Sequence, residues 1–183
     1  AYANLFGELS LGYDSGTVKA TPVDPADPSE DGETTSAVFG GRIGFDSGPI
    51  WFGLDFTGES GSYDAKDPAA LDGDGSKSLG YFVVGTSFSR FRLWAGYGLL
   101  TELTLKRKFL WLDFDTKLKD GESYKGGLSF RIADGWHVNA EYYMHKPSKI
   151  ELLGFSFDRK DIYTELSESG FIVSFSYLFG GSK

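Results

Sequence analysis

The sequence predicts an all-β fold, an eight-stranded antiparallel up-and-down barrel, and three observations support this prediction. Stretches in which every second residue is apolar recur along the 183-residue chain, as in strands that have one apolar face. Glycine, serine or a single charge stands between the apolar residues, and glycine suits a narrow barrel interior better than a solvated strand surface. The connections alternate between long and short, with loops at one end and tight turns at the other. The apolar face is therefore expected to meet lipid, which makes the barrel a transmembrane one.

Composition is compatible with this fold and excludes several others. No apolar run approaches the roughly 20 residues that a membrane helix needs. The mean hydropathy is only −0.23, as expected when alternate residues of each strand face lipid. The chain has no cysteine, which excludes thiolate zinc sites and cysteine nucleophiles. Residues 1–179 are expected to form one barrel domain, and a secretory signal is expected to have been removed before Ala1.

Four strands are predicted in the first half of the chain. Their expected ranges are Tyr2–Asp14, Thr35–Phe45, Ile50–Gly58 and Ser78–Phe88. Asp46–Pro49 joins the second and third strands as a tight turn. In the fourth strand, Phe82 is expected to face inward, with Leu79, Tyr81 and Val83 on the other face.

Four more strands are predicted in the second half, at Phe91–Leu99, Ser123–Ile132, Trp136–Met144 and Gly170–Phe179. The turns Ser89–Arg90 and Ala133–Gly135 are short and are expected on the periplasmic side, together with both termini. The long extracellular loops are expected at residues 15–34, 59–77, 100–122 and 145–169. The last two loops continue the apolar alternation. They are therefore expected to extend their hairpins beyond the membrane as β structure. Their apolar faces are expected either to offer a contact surface or to pack against each other.

The end of the chain carries the most specific motif. Gly170 is followed by alternating aromatic residues that include Phe175, Tyr177 and Phe179, and these are expected to face lipid. This pattern resembles the terminal signal of outer-membrane barrels, and the whole chain resembles the small eight-stranded family of OmpA, OmpX and OmpW. In that family the aromatic residue is usually the last one. Residues 180–183 are therefore either an added remnant or a link to a periplasmic domain.

The resemblance implies a place in the bacterial cell outer membrane and several partners. Outer-membrane lipid, lipopolysaccharide and the assembly machinery that reads the last strand are the implied ones. The basic cluster Lys106–Lys108 is a candidate contact for lipopolysaccharide phosphates, and a solvated position is the alternative. No nucleic-acid partner is expected.

Charged residues are predicted to face the lumen. The eight candidates are Glu8, Asp14, Arg42, Asp55, Arg92, Lys125, Arg131 and Glu141. Buried charges persist when they are paired, so these four acids and four bases are expected to form a network, either as a structural plug or as a gated path. The bulky residues Trp51, Phe82, Trp94 and Tyr143 favour the plug. His137 and His145 are expected to be hydrogen-bonded lumen residues.

Acidic residues in the first two predicted loops carry most of the net charge of −8. The fragment Asp72–Gly75 is part of a calcium-type loop, although the full spacing is missing. The candidate ligands for a divalent cation such as calcium are Asp27, Asp31, Asp67, Asp72 and Asp74. Solvated loop tips are the alternative, and no other cofactor is expected.

These observations favour a non-enzymatic barrel with a plugged, charge-paired lumen. Its expected role is envelope structure or adhesion through the extended extracellular loops, with an extracellular partner. The alternative is a narrow channel for ions or small apolar molecules. A lipid A-modifying enzyme is a third interpretation, for which His145, Ser148 and Glu151 form the candidate cluster, without the His-x-Ser spacing of the deacylases.

Overall fold

The computed structural model describes residues 4–27, 29, 31–65, 73–109 and 112–180. In chain order, the elements are β1 Asn4–Pro22, β2 Gly32–Ser47, β3 Ile50–Ala65, β4 Gly73–Phe88, β5 Phe91–Phe109, β6 Leu112–Lys119, β7 Glu122–Arg131, β8 Trp136–Lys146, β9 Lys149–Leu152, β10 Phe155–Asp158, α1 Arg159–Ile162 and β11 Tyr163–Gly180. No helix within the described ranges is long and apolar enough to cross a membrane.

Eight of these strands close a barrel. Leu11 of β1 lies opposite Phe39 of β2 and also opposite Phe175 of β11, in antiparallel register on both sides. The membrane half of β5 pairs with β7, which completes the wall of β1, β2, β3, β4, β5, β7, β8 and β11. The predicted eight-stranded antiparallel barrel is therefore confirmed.

The strands are longer than the sequence predicted. Loops were expected at 15–34 and 59–77, but β1 continues to Pro22, β2 begins at Gly32, β3 continues to Ala65 and β4 begins at Gly73. Outside the apolar band, serine and threonine replace the outward apolar residues. The hydrophobic contrast that marks a strand is therefore lost, although the alternation of buried and exposed residues continues.

The predicted lipid face holds for most of the wall. Leu11, Phe39 and Phe175 are 65%, 61% and 58% exposed, and Tyr177 and Phe179 of the terminal motif are exposed as well. The prediction for β4 is wrong, because Phe82 faces outward while Tyr81 is buried in the lumen. Both faces of this strand are apolar, so periodicity alone could not tell them apart.

The interior is filled by side chains at the periplasmic end. Trp51 and Trp94 are buried there with Phe6, and the two indole centroids are 6.3 Å apart. Gly85 and Gly127 lie under these rings, where an added Cβ would overlap the indoles. The small inward residues thus leave room for two large ones.

The extracellular end has a core of its own. β6 pairs with the outer half of β5, β9 pairs with β6, and β10 pairs with β9. These strands and the outer ends of the barrel enclose a buried cluster of Val18, Ala20, Tyr63, Leu103, Leu105, Leu118, Ile150 and Leu166, which we call the cap. The expectation of β structure in the last two loops is therefore confirmed.

Candidate functional site: the filled lumen and the extracellular sheet

A charge network fills the lumen at the level of the membrane. Arg42 is its centre, since Nε and Nη2 donate to Asp55 Oδ2 at 3.0 and 2.6 Å and Nη1 donates to Glu8 Oε2 at 3.1 Å. Arg92 Nη1 reaches the same Glu8 oxygen at 3.0 Å. All four side chains are buried, so their charges interact with little screening by water.

Lys125 joins this network from β7. Its Nζ lies 2.7 Å from Asp55 Oδ1 and 2.8 Å from Glu141 Oε2. We call Glu8, Arg42, Asp55, Arg92, Lys125 and Glu141 the inner network. Its three acids and three bases balance, and the guanidinium groups of Arg42 and Arg92 also stack over Trp94 and Trp51 at 4.5 Å.

Arg131 does not belong to the network, which corrects the prediction. It lies on the inward register of β7, opposite the buried His137, but it is exposed. It is the last residue of β7. Its side chain therefore leaves the barrel mouth for water, where the charge needs no partner.

A second charged group, with Asp14 as its predicted member, lies further out. Lys77 Nζ is 2.8 Å from Asp14 Oδ2, 2.8 Å from Glu59 Oε2 and 2.6 Å from Glu168 Oε1. Tyr143 accepts a hydrogen bond from Lys77 at 2.7 Å and donates to Asp14 at 2.9 Å. We call these five residues the outer cluster, in which one lysine faces three carboxyl groups.

Sequence reasoning missed Lys77, Glu59 and Glu168 because all three fell inside predicted loops. Each of them keeps the inward phase of its strand, since Glu59 follows the buried Thr57 by two residues and Lys77 precedes the buried Leu79 by two. Extending the alternation of the predicted strands would have placed Glu59 and Glu168 in the lumen. Lys77 shares the phase of Leu79, which was expected on the outer face, so its position depended on the corrected orientation of β4.

The two charged groups leave little room for a solute. Val38, Tyr143 and Ile172 form a buried apolar layer among the outer lumen residues. A cavity of about 10 Å³ adjoins Asp55 and Lys125 of the inner network, which is room for about one water molecule at most. The arrangement therefore suits a plug better than a path for ions.

The candidate residues for enzymatic chemistry lie in different environments. His145 is buried in the lumen, whereas Ser148 is exposed. Glu151 lies on the extracellular sheet, where Lys119 Nζ donates to it at 2.6 Å. This hydrogen bond holds the pKa of Glu151 below its ordinary value. The other lumen histidine, His137, has Nδ1 3.2 Å from the carbonyl oxygen of Gly135.

The candidate cation ligands are only partly described. Asp67 and Asp72 lie outside the described residues, whereas Asp27 and Asp31 flank the gap in the connection between β1 and β2. Asp74 was expected in a loop but is part of β4, opposite Lys106 of β5. In the described parts of the chain, no three histidine or acidic side chains converge as metal ligands. A divalent cation remains a prediction.

The basic cluster Lys106–Lys108 is described only in part. Lys106 is exposed on β5, while the side chains of Arg107 and Lys108 lie outside the described residues. A contact with lipopolysaccharide through this cluster remains a prediction.

An apolar surface is exposed on the extracellular sheet. Leu152, Leu153, Phe155 and Phe157 are 36%, 71%, 69% and 41% exposed, and we call them the tip. Ile150 carries the same face of the hairpin into the cap, where it is buried. The tip therefore continues the apolar face of the β9–β10 hairpin beyond the core that covers the rest of it.

Comparison with known proteins identifies the fold. No protein-family model matches the sequence, and no curated protein matches it significantly. Ail of Yersinia pestis, the attachment invasion locus protein, in complex with the heparin analogue sucrose octasulfate, is similar, with a TM-score of 0.64 and 13% identity over 98% of this chain and 100% of that one. Neisserial surface protein A matches with a TM-score of 0.61 and 12% identity over 93% and 97% of the two chains. The protein thus has the fold of the small eight-stranded β-barrels of the bacterial outer membrane.

Proposed function

We propose that this protein is a non-enzymatic outer-membrane barrel that makes surface contacts through its extracellular sheet. The observation that carries the proposal is the exposed tip. Leu153 and Phe155 are about 70% exposed, although they lie on a hairpin beyond the part of the wall that faces lipid. Large apolar side chains grouped in water are typical of contact sites.

The construction of the extracellular sheet supports this function. The cap holds β6 and β9 on the barrel through Leu118 and Ile150. Two ion pairs, Lys119 with Glu151 at 2.6 Å and Lys149 with Asp120 at 2.8 Å, add polar contacts around the hairpin. The tip is therefore presented by a packed sheet, which lowers the entropy lost when a partner binds.

The two similar proteins have names that refer to attachment and to the cell surface. Identity of 12–13% relates the folds alone, and one fold supports many functions. The names are compatible with surface contact. The proposal depends on the exposed tip of the β9–β10 hairpin.

An adhesion assay tests the proposal. Bacteria that display the protein are counted on an epithelial cell monolayer, with wild type compared with the double variant Leu153→Ser and Phe155→Ser. We expect about a tenfold loss of bound cells, as for removal of central apolar contacts. The matched control is Val23→Ser, which removes an exposed apolar residue from a different extracellular connection. Wild-type adhesion by the double variant would contradict the proposal.

Conductance in a planar bilayer tests the alternative of a channel. The cavity of about 10 Å³ beside the inner network supports the absence of ion conductance. We expect no steady current with calcium or with a chelator. Regular openings would favour the channel, and a dependence on calcium would favour a cation site at the acidic extracellular residues.

A further inference from the structure

We propose that the outer edge of β10 binds an extended polypeptide segment of the partner by strand addition. This inference rests on the proposed function, because it names the partner chemistry of the same extracellular sheet. It concerns the backbone of β10, whereas the proposed function concerns the side chains of the tip. The two ideas can therefore fail separately.

β10 lies at the end of the sheet. The strand order is β10, β9, β6, β5 and onward around the barrel, so β10 is a terminal strand. Within the described residues it pairs with β9 alone. All four residues, Phe155–Asp158, are exposed. One edge of β10 is thus open to water.

The hairpin turn decides which backbone groups face that edge. Phe155 lies opposite Leu152, and the two residues between them, Leu153 and Gly154, have φ of 52° and 83°. This is the pattern of a two-residue type I′ turn, in which the flanking pair exchanges both hydrogen bonds. Hydrogen-bonded and open pairs alternate along an antiparallel ladder. The N–H and C=O of Ser156 and the N–H of Asp158 therefore point away from β9, whereas the C=O of Asp158, the N-cap of α1, accepts the first hydrogen bond of that helix.

These groups define the chemistry of the ligand. A peptide backbone in the extended conformation presents donors and acceptors in the same alternating order, as in other cases of strand addition. The side chains add a preference, since Phe155 and Phe157 lie on one face and Ser156 and Asp158 on the other. The best ligand is a short segment whose residues alternate between apolar and polar.

Other occupants fit the edge less well. A glycan offers hydroxyl groups without the fixed spacing of a strand. A second copy in the same membrane stands in the same orientation, so two β10 edges related by a twofold axis along the membrane normal run antiparallel only where β10 is perpendicular to that axis. Parallel pairing is less favourable per residue and lacks the narrow pairs of an antiparallel ladder.

The binding test uses the refolded full chain in lipid nanodiscs and a fluorescent peptide of alternating valine and threonine. The variant Ser156→Pro removes the N–H that faces the open edge and keeps the bonds of Phe155 and Phe157 to β9. The matched control is Ser156→Ala, which keeps this N–H. A second probe is the same peptide with N-methyl groups at alternate residues, which blocks one edge of the peptide without changing its side chains.

We expect the unmodified peptide to bind the wild type and Ser156→Ala about equally. Binding to Ser156→Pro, and binding of the methylated peptide to the wild type, should be about five- to tenfold weaker, as for loss of one or two hydrogen bonds. Hydrogen exchange of the Phe157 N–H checks that the hairpin of the proline variant remains paired. The inference would be overturned if the wild type and Ser156→Pro bound the peptide equally and the wild type bound both peptides equally. It would also be overturned if the wild type bound no peptide.

The adhesion assay separates the two proposals. If the tip double variant loses adhesion while Ser156→Pro adheres normally, strand addition is wrong and the contact function stands. If Ser156→Pro loses adhesion together with peptide binding, the edge is part of the contact. Normal adhesion by both variants would contradict the proposed function itself.

Discussion

The two halves of the barrel wall have opposite polarity, although β1 and several other strands run through both. In the membrane half of β1, Leu11 is exposed and Glu8 is buried, whereas in the extracellular half Lys19 is exposed and Val18 is buried. The phase of the strand does not change between them, because even-numbered residues face the lumen throughout. What changes is the surroundings, from lipid to water. A wall in lipid tolerates a polar interior, whereas a wall in water needs an apolar one.

The two interiors are consequently stabilised in different ways. The inner network balances three acids with three bases, and its charges are held by ion pairs of 2.6–3.1 Å. The extracellular half depends on the cap, and its outer cluster sets three carboxyl groups against Lys77. Substitutions in the two halves should therefore change the stability of the barrel in different ways.

The largest effect is expected from Arg42→Met in the inner network. The change leaves Glu8 and Asp55 buried without the cation that they share. Removal of one partner from a buried pair costs about 3–5 kcal/mol. The measurement is urea unfolding of the refolded barrel. Arg131→Met is the control, since Arg131 is exposed at the barrel mouth, and a similar loss in both variants would contradict the balanced network.

The second largest effect is expected from a cation on the outer face of the wall, and its cost in stability should differ between the two halves. Phe175→Arg puts a cation against the middle of the bilayer and is expected to cost about 2–4 kcal/mol. Glu165→Arg lies on the outward phase of the same strand, β11, in the extracellular half, where it is exposed. We expect little change there. Equal costs at both positions in urea unfolding would mean that the boundary between lipid and water is misplaced.

The outer cluster should give the extracellular half a dependence on pH. Glu59 lies beyond the lipid-facing band, between the outward residues Gly58 and Ser60. Burial, together with nearby Asp14 and Glu168, raises the pKa of Glu59 to about 7 against the opposing effect of Lys77. A carboxyl group whose pKa rises on folding stabilises the fold at low pH and loses that contribution as pH rises through about 7.

We therefore expect the free energy of unfolding to fall by about 1–3 kcal/mol between pH 5.5 and 8.5, pH values that we choose on either side of this pKa. Glu59→Gln should flatten this dependence, because the neutral amide mimics the protonated acid. Asp64→Asn, on the exposed side of the same strand, is the control. The same dependence on pH in the wild type and in Glu59→Gln would show that Glu59 does not titrate in this range.

The smallest effect is expected from Ile150→Val in the cap. Loss of one buried methylene costs about 0.5–1.5 kcal/mol, and Ile150 contributes to the cap alone. Hydrogen exchange should become faster in β6 and β9, while the membrane strands keep the protection of the wild type. Faster exchange in β1 below Tyr13 would mean that the two halves unfold as one unit.

Part of the site could have been read from the sequence. The turn at Gly48 and Pro49 places Ser47 opposite Ile50, and counting back along both strands puts Arg42 opposite Asp55. That ion pair follows from a short turn. The pairs between Glu8 and Arg92, or between Lys77 and Glu168, cross the lumen between strands that are distant in the chain. They depend on how the barrel closes, which no local pattern contains.

The sequence by itself determined the number of barrel strands, their short turns and the lipid face of most of the wall. These features are local, since a period of two and a turn of two residues act between near neighbours. Tertiary structure alone decided the face of β4, the exposure of Arg131, the extension of the strands into water and the membership of the outer cluster. Each of these depends on what lies across the lumen or outside the wall. The same alternation can serve lipid or water, and closure of the barrel selects between them.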